Sequence, residues 1–292
     1  MHHNFFRPKS LSEALDAVAP GNVAILAGGT DFFCYQTGLA AWSRVKPTAI
    51  VDLSKIEQLR GIALDQNEIR IGAMTTWSEV ASLKLPPAFA ALQQAALKVG
   101  GVQIQNRATI AGNLCNASPA ADGVPPLLLF EADVELSSAG GVRRIALQSF
   151  LFGNRKTALS PGEIMTAIFL KRPSKDLRTT FRKLGARRYL VISLTMLAAG
   201  FEISQGKIID ARFSVGACSA VACRLSSLEG ALRGLTVTPD ILDVPAPTHL
   251  ADLSPIDDVR ATAVYRGQAT LELLRRVIAE LAGLKNGFSH AH

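Results

Sequence analysis

A Gly-Gly pair directly behind a short apolar run constrains this chain more than any other feature. Val23, Ala24, Ile25 and Leu26 read as a buried strand, and Ala27-Gly28-Gly29-Thr30-Asp31 leaves it through residues with little or no side chain. Glycine admits positive φ and lets backbone N–H groups approach an anion closely. A second run of this kind lies far downstream: Thr109-Ile110-Ala111-Gly112-Asn113, then Leu114-Cys115-Asn116-Ala117-Ser118-Pro119-Ala120-Ala121-Asp122. Both runs mix small residues with hydroxyl, amide or carboxylate groups. Together they suit one phosphate-bearing ligand met by neutral dipoles rather than by lysine. Each also has a plainer reading. A glycine pair after a strand is most often a tight turn, Asp122 fits equally as a cap on a helix opening at Pro125, and Ser118-Pro119 fits a rigid turn. The Gly-x-Gly-x-x-Gly fingerprint is absent, so a Rossmann site is not indicated, and the second run is read as a loop.

The surrounding pattern is β-α-β at the start and mixed α+β thereafter. Residues 10–19 predict a serine-capped helix, with Leu11, Leu15 and Val18 at helical spacing and Pro20-Gly21 ending it. Residues 48–53 predict a strand, 62–64 and 68–71 a hairpin, 76–83 a short helix, and 87–99 a helix opened by proline. Residues 125–131 predict a buried helix, 134–136 and 142–146 a hairpin, and 163–170 a strand. From 179 the pattern changes to longer antiparallel strands, 179–184, 193–203 and 207–215, followed by helices at 225–232 and 259–281. The change near 174 is the expected domain cut.

Length and composition narrow the function classes. At 292 residues, 48% hydrophobic and 19% charged, the chain suits about two folded domains. No apolar run reaches the roughly 18 residues that span a bilayer, and the N-terminus lacks the layout of a secretory signal. The expectation is a cytoplasmic protein without membrane insertion. The net charge of +7 is carried by clusters such as Arg143-Arg144, Lys171-Arg172, Arg182-Lys183, Arg187-Arg188 and Arg275-Arg276. With few adjacent aromatics, these fit docking to an acidic partner rather than nucleic acid. Cys34, Cys115, Cys218 and Cys223 are too dispersed for a zinc ribbon or a redox pair. Of five histidines, only His249 lies away from the termini, where His2, His3, His290 and His292 stand. No catalytic side chain and no metal site are expected, and the chemistry must come from a bound cofactor.

The residues also carry a family resemblance. Ala27-Gly28-Gly29-Thr30-Asp31, then Gln105-Asn106-Arg107-Ala108-Thr109-Ile110-Ala111-Gly112-Asn113, and Asn116-Ala117-Ser118-Pro119-Ala120-Ala121-Asp122 resemble the FAD-binding medium subunit of the molybdenum hydroxylases. That family includes xanthine dehydrogenase, carbon monoxide dehydrogenase and related aldehyde and N-heterocycle dehydrogenases. The resemblance covers nearly the whole chain, from Phe5-Phe6-Arg7-Pro8 and Ser12-Glu13-Ala14 to Tyr265-Arg266. Two positions depart from it: Gln105 stands where arginine is common, and Ala111 where glycine is common. A methyl at 111 is tolerated where φ is negative and strained where it is positive. A cysteine-rich insertion for an extra iron–sulfur cluster is missing, which disfavours the benzoyl-CoA reductase branch.

The resemblance implies an α+β fold. Residues 1–174 would form a vanillyl-alcohol-oxidase (PCMH)-type FAD-binding domain with subdomains at about 1–54 and 55–174. Residues 175–292 would form an α+β domain of the CO dehydrogenase flavoprotein C-terminal type. It further implies FAD contacts at Ile25, Leu26, Ala27, Gly28, Gly29, Thr30 and Asp31, and at Thr109, Ile110, Ala111, Gly112 and Asn113 around the pyrophosphate. Val99, Asp122, Met165 and Lys183 would be additional contacts. By itself Met165 reads as a core residue and Lys183 as a solvated strand lysine. The implied role is electron transfer from [2Fe–2S] clusters on a small partner subunit, through FAD, to NAD+, dioxygen or another acceptor. Molybdopterin would sit on a large partner subunit, in a dimer of heterotrimers. The alternatives are a self-contained FAD-dependent oxidase of the same cofactor fold and a non-redox assembly subunit.

Overall fold

The predicted β-α-β start forms, and it gains a strand. β1 (Asn4–Phe6), β2 (Val23–Leu26) and β3 (Ala49–Asp52) make a parallel sheet in the order β1-β3-β2. Strands that run parallel in one sheet need a crossover, and the helix Leu11–Val18 supplies the one between β1 and β2, which flank β3. Ser10 caps it, accepting from the Glu13 N–H. Its Ala14 and Val18 pack on Val51, Leu53, Ile56, Leu59, Met74 and Ile164. Each large apolar side chain buried in this way contributes about 1.5–3 kcal/mol.

The computed structural model describes residues 4–33, 49–187 and 191–284, and these divide into two units. The parallel sheet belongs to the first, made of residues 1–80, 101–118 and 131–172. That unit also holds an antiparallel sheet of β4 (Ile62–Leu64), β5 (Glu68–Gly72), β6 (Asp133–Ser138), β7 (Gly141–Ala146) and β10 (Ile164–Lys171). A small hairpin, β8 (Leu151–Gly153) and β9 (Lys156–Thr157), precedes β10. The strand order is β4-β5-β10-β6-β7, so β10 is central and apolar on both faces. Met165 lies in β10 beside a register shift against β6 and is buried.

Residues 81–100, 119–130 and 173–292 form the second unit. Its sheet is β11 (Leu177–Leu184), β12 (Thr195–Ser204), β13 (Lys207–Gly216) and β14 (Cys223–Arg224), antiparallel and in chain order. Alternate residues Leu197, Ala199 and Phe201 of β12 and Ala211, Phe213 and Val215 of β13 face the helices Ser226–Leu232 and Ala263–Ala282. Helices Ala90–Ala96 and Val124–Leu129 also pack on this sheet. Phe89 meets Phe130 at 4.7 Å between ring centroids, and Thr179 Oγ1 donates to the Ala88 carbonyl. The 81–100 and 119–130 segments therefore find their apolar partners in the C-terminal sheet.

Three elements differ from the sequence reading. The helix expected over 87–99 is a tight turn, Pro87–Phe89, followed by Ala90–Ala96. It stops because Lys98 and Val99 donate back only three residues and Gly100 turns to φ +53°. The last helix starts at Ala263 rather than 259, because the Thr262 side chain caps it and Val259 stands wholly in solvent. The third difference is the second small-residue run, described next.

Candidate cofactor site

The two small-residue runs meet in the first unit, and backbone-to-backbone contact brings them together. A Cβ on Gly28 would stand 2.1 Å from the Arg107 carbonyl oxygen and 2.9 Å from Ala108 Cα. Gly29 takes φ +78°, a left-handed conformation that disfavours other residues. Downstream, the chain is pinned along 73–77. Trp77 N–H donates to the Ala108 carbonyl at 3.1 Å, and Ile110 N–H to that of Thr75 at 2.9 Å. Gly112 faces Ala27, since a Cβ there would lie 3.9 Å from Ala27 Cβ. Thus Ala27, Gly28, Thr109 and Gly112 share one neighbourhood.

The run read as a loop turns helical over Ile110–Asn116. Thr109 caps it, its Oγ1 accepting from Gly112 N–H at 3.1 Å, and Ala117 ends it at φ +46°. Gly112, Asn113 and Asn116 are weak helix formers, and the cap outweighs their propensity. Ala111 lies inside this helix and not at positive φ, so its methyl brings no backbone strain.

This cradle fits a cofactor bearing phosphate and hydroxyl groups. Neither the 25–31 run nor the 109–113 run contains lysine or arginine. Among the described residues, the backbone N–H groups of Gly28 and Gly29 have no acceptor. Asn113 Oδ1 is buried with no partner. A buried acceptor left alone costs about 1–3 kcal/mol, and a hydroxyl on a ligand would satisfy it. Ile25 and Leu26 hold the strand end, and Asp31 is exposed.

The second unit carries a separate charged cluster. Lys183 Nζ on β11 donates to Asp122 Oδ2 at 2.6 Å, and Ser193 Oγ donates to Asp122 Oδ1 at 2.9 Å. Only 9% of the Lys183 side chain and 8% of the Asp122 side chain is exposed. Lys183 is therefore no solvated strand lysine. Asp122 caps no helix either, since the helix opening at Val124 has no side-chain cap. Burial pushes the Asp122 carboxyl up, against the opposing pull of Lys183, Ser193 and Lys98. Lys183 Nζ also reaches the Lys98 carbonyl at 3.4 Å, beside the half-buried Val99.

Sequence reasoning missed Ser193. Its one signal is a lone hydroxyl within the apolar run Val191-Ile192-Ser193-Leu194, since a polar side chain buried there needs a partner. The basic clusters are largely paired within the chain: Arg143 with Glu163, Arg144 with Glu68 and Glu135, Lys171 with Glu131, Arg182 with Glu280, and Arg276 with Glu272. His249 Nδ1 accepts from Ala246 N–H in a local turn. Among the described residues no group of three or more His, Cys, Asp or Glu could hold a metal, and no helix is long and apolar enough to cross a membrane. Cys34, Arg188, Tyr189 and the four terminal histidines lie outside the described residues.

Comparison with known proteins gives a consistent picture. Residues 1–173 match the family described as FAD binding domain in molybdopterin dehydrogenase, and residues 180–281 match the CO dehydrogenase flavoprotein C-terminal domain. The chain is 29% identical to the nicotinate dehydrogenase FAD-subunit of Eubacterium barkeri, over 95% of each chain. It is 28% identical to the xanthine dehydrogenase FAD-binding subunit of Escherichia coli O157:H7, over 97% of each. Among solved structures, reconstituted CO dehydrogenase from Oligotropha carboxidovorans superposes with a TM-score of 0.87 at 26% identity, covering 98% of this chain and 99% of that one.

Proposed function

Because the chain belongs to the family of FAD-binding domains of molybdopterin dehydrogenases, we propose that it is the electron-transfer subunit of a molybdopterin-dependent hydroxylase. In this reading a large partner subunit carries molybdopterin and oxidises the organic substrate. A small partner subunit carries [2Fe–2S] clusters, and the three assemble as a dimer of heterotrimers in the cytoplasm. FAD bound to this chain supplies the step between the clusters and NAD+, dioxygen or another acceptor.

The observation that carries the reading is the junction of the two small-residue runs, the second of which carries Asn113, whose Oδ1 is buried with no partner among the described residues. Gly28 and Gly29 offer backbone N–H groups to a pyrophosphate, and Thr109 holds the second run in register. Preorganised neutral donors bind an anion without the desolvation cost of a lysine. Lys183 and Asp122 would offer a paired cation and carboxylate to the flavin, Val99 and Met165 would be additional FAD contacts, and no side chain is required as nucleophile or general base. Residues 1–174 would be the FAD-binding domain and 175–292 the C-terminal domain.

Flavin bleaching tests the role. The FAD-loaded chain alone should be reduced by dithionite but not by purines, aldehydes, N-heterocycles or CO. In the co-purified complex, the substrate of the large subunit should bleach it. Turnover of an organic substrate by the isolated chain would instead mark a self-contained oxidase.

A further inference from the structure

Ser193 is 1% exposed, and its hydroxyl carries a single proton. That proton goes to Asp122 Oδ1 at 2.9 Å; the neighbouring Met196 Sδ, at 3.6 Å, is a weak acceptor by comparison. Lys183 binds the other oxygen of the same carboxylate. Three segments thus converge on one carboxyl: the 119–130 stretch, β11, and the run leading into β12. A carboxylate gripped at both oxygens has a fixed plane, and the ammonium it neutralises has a fixed place.

We propose that Ser193 is a positioning residue for the flavin, holding the Asp122 carboxylate against Lys183 and so setting how much of the Lys183 charge the ring experiences. The proposal rests on the reading that Asp122 and Lys183 contact FAD. With the hydroxyl present, a hydrogen bond to Oδ1 favours the carboxylate form of Asp122, which offsets the Lys183 charge. Without it, Oδ1 is buried and unpartnered, protonation of Asp122 becomes easier, and Lys183 is left as an uncompensated cation in a site of low dielectric. An uncompensated cation stabilises negative charge added to the ring and raises its reduction potential. Among the described residues, the charged groups acting on Asp122 are Lys183 from β11 and Lys98 from the end of the 81–100 segment; Ser193 contributes a dipole only.

The test is the flavin midpoint potential as a function of pH, measured by spectroelectrochemical titration of the FAD-loaded protein, or of its purified complex. Asp122→Asn should abolish one break in that curve and thereby identify it. Ser193→Ala should keep its flavin and move the same break to higher pH. A break left at the wild-type pH in Ser193→Ala would overturn the role of Ser193, as would a curve in which Asp122→Asn removes nothing. If instead Lys183→Met leaves both FAD affinity and potential at wild-type values, the placement of Lys183 and Asp122 against the flavin fails.

Discussion

Gly28 lies so close to Arg107 that a methyl at its Cα would stand 2.1 Å from the Arg107 carbonyl oxygen. The neighbour is backbone, held by the donation of Arg107 N–H to Ile104 and the register of Ala108 with Trp77, so it does not move cheaply. The glycine pair therefore divides two tasks. Gly28 seats one run on the other, and Gly29 supplies the positive φ.

Gly28→Ala should then separate the two runs, with a loss of about 1–3 kcal/mol from overpacking and loss of bound FAD. Gly29→Val should empty the site as well, through a β-branched residue forced to positive φ at a cost of order 1–3 kcal/mol. Flavin content from the visible spectrum, alongside the thermal midpoint, checks both. Normal flavin in either variant would remove that glycine from the cradle.

Asp122→Ala should leave a folded protein with weaker FAD retention and lower stability. Removing one member of a nearly buried pair strands the other, which costs about 3–5 kcal/mol. Adding Lys183→Met should recover part of that loss, so the double variant is more stable than the sum of the singles. Urea denaturation of the four proteins measures the coupling; strict additivity would mean that the pair is energetically idle.

Glu163 provides a pH-dependent contribution of predictable sign. Arg143 grips both of its oxygens, at 2.7 and 2.8 Å, and Ser160 N–H donates to it at 2.8 Å. The Arg143 hydrogen bonds hold its carboxyl below the ordinary glutamate value of 4.5, burial opposing them in part. A carboxyl lowered in the folded state adds stability above its unfolded pKa and loses it as pH falls through the folded one. Glu163→Gln should cost about 1 kcal/mol at neutral pH, where Arg143 is half open to water. The difference from wild type should shrink as pH falls below 4.5 and vanish only once pH is below the lowered folded value. Equal differences at pH 7 and pH 3 would refute the account.

Arg266 ties the last helix to the sheet of the second unit. Its guanidinium donates to the Leu194 carbonyl at 2.6 Å, the Ala217 carbonyl at 3.3 Å and Asp258 at 2.8 Å. A single ammonium does not span three acceptors in fixed directions. Arg266→Lys should lower stability by about 2 kcal/mol, read as an earlier thermal transition, although the charge is kept. An unchanged midpoint would mean that the charge alone matters there.

What was legible in the sequence was local. The Ser10 cap, the 62–64 and 68–71 hairpin and the three long strands after 177 follow from spacing, turn residues and alternation. The contacts between distant segments were not. Asp122 and Lys183 are 61 positions apart, and neither residue indicates that it will be buried against the other. The 110–116 helix escaped because Gly112, Asn113 and Asn116 argue against helix, while the Thr109 cap that decides the matter is a single hydrogen bond. Val259 extends the apolar pattern although it stands in solvent, so spacing alone starts the last helix too early.

The most direct measurement is the visible absorption spectrum of the purified chain before and after addition of FAD, repeated on the complex co-purified with its partners. The account predicts flavin bands at one FAD per chain in at least the complex, and their absence from Gly28→Ala and Gly29→Val. A protein that stays colourless with added FAD, both alone and in the complex, would contradict it.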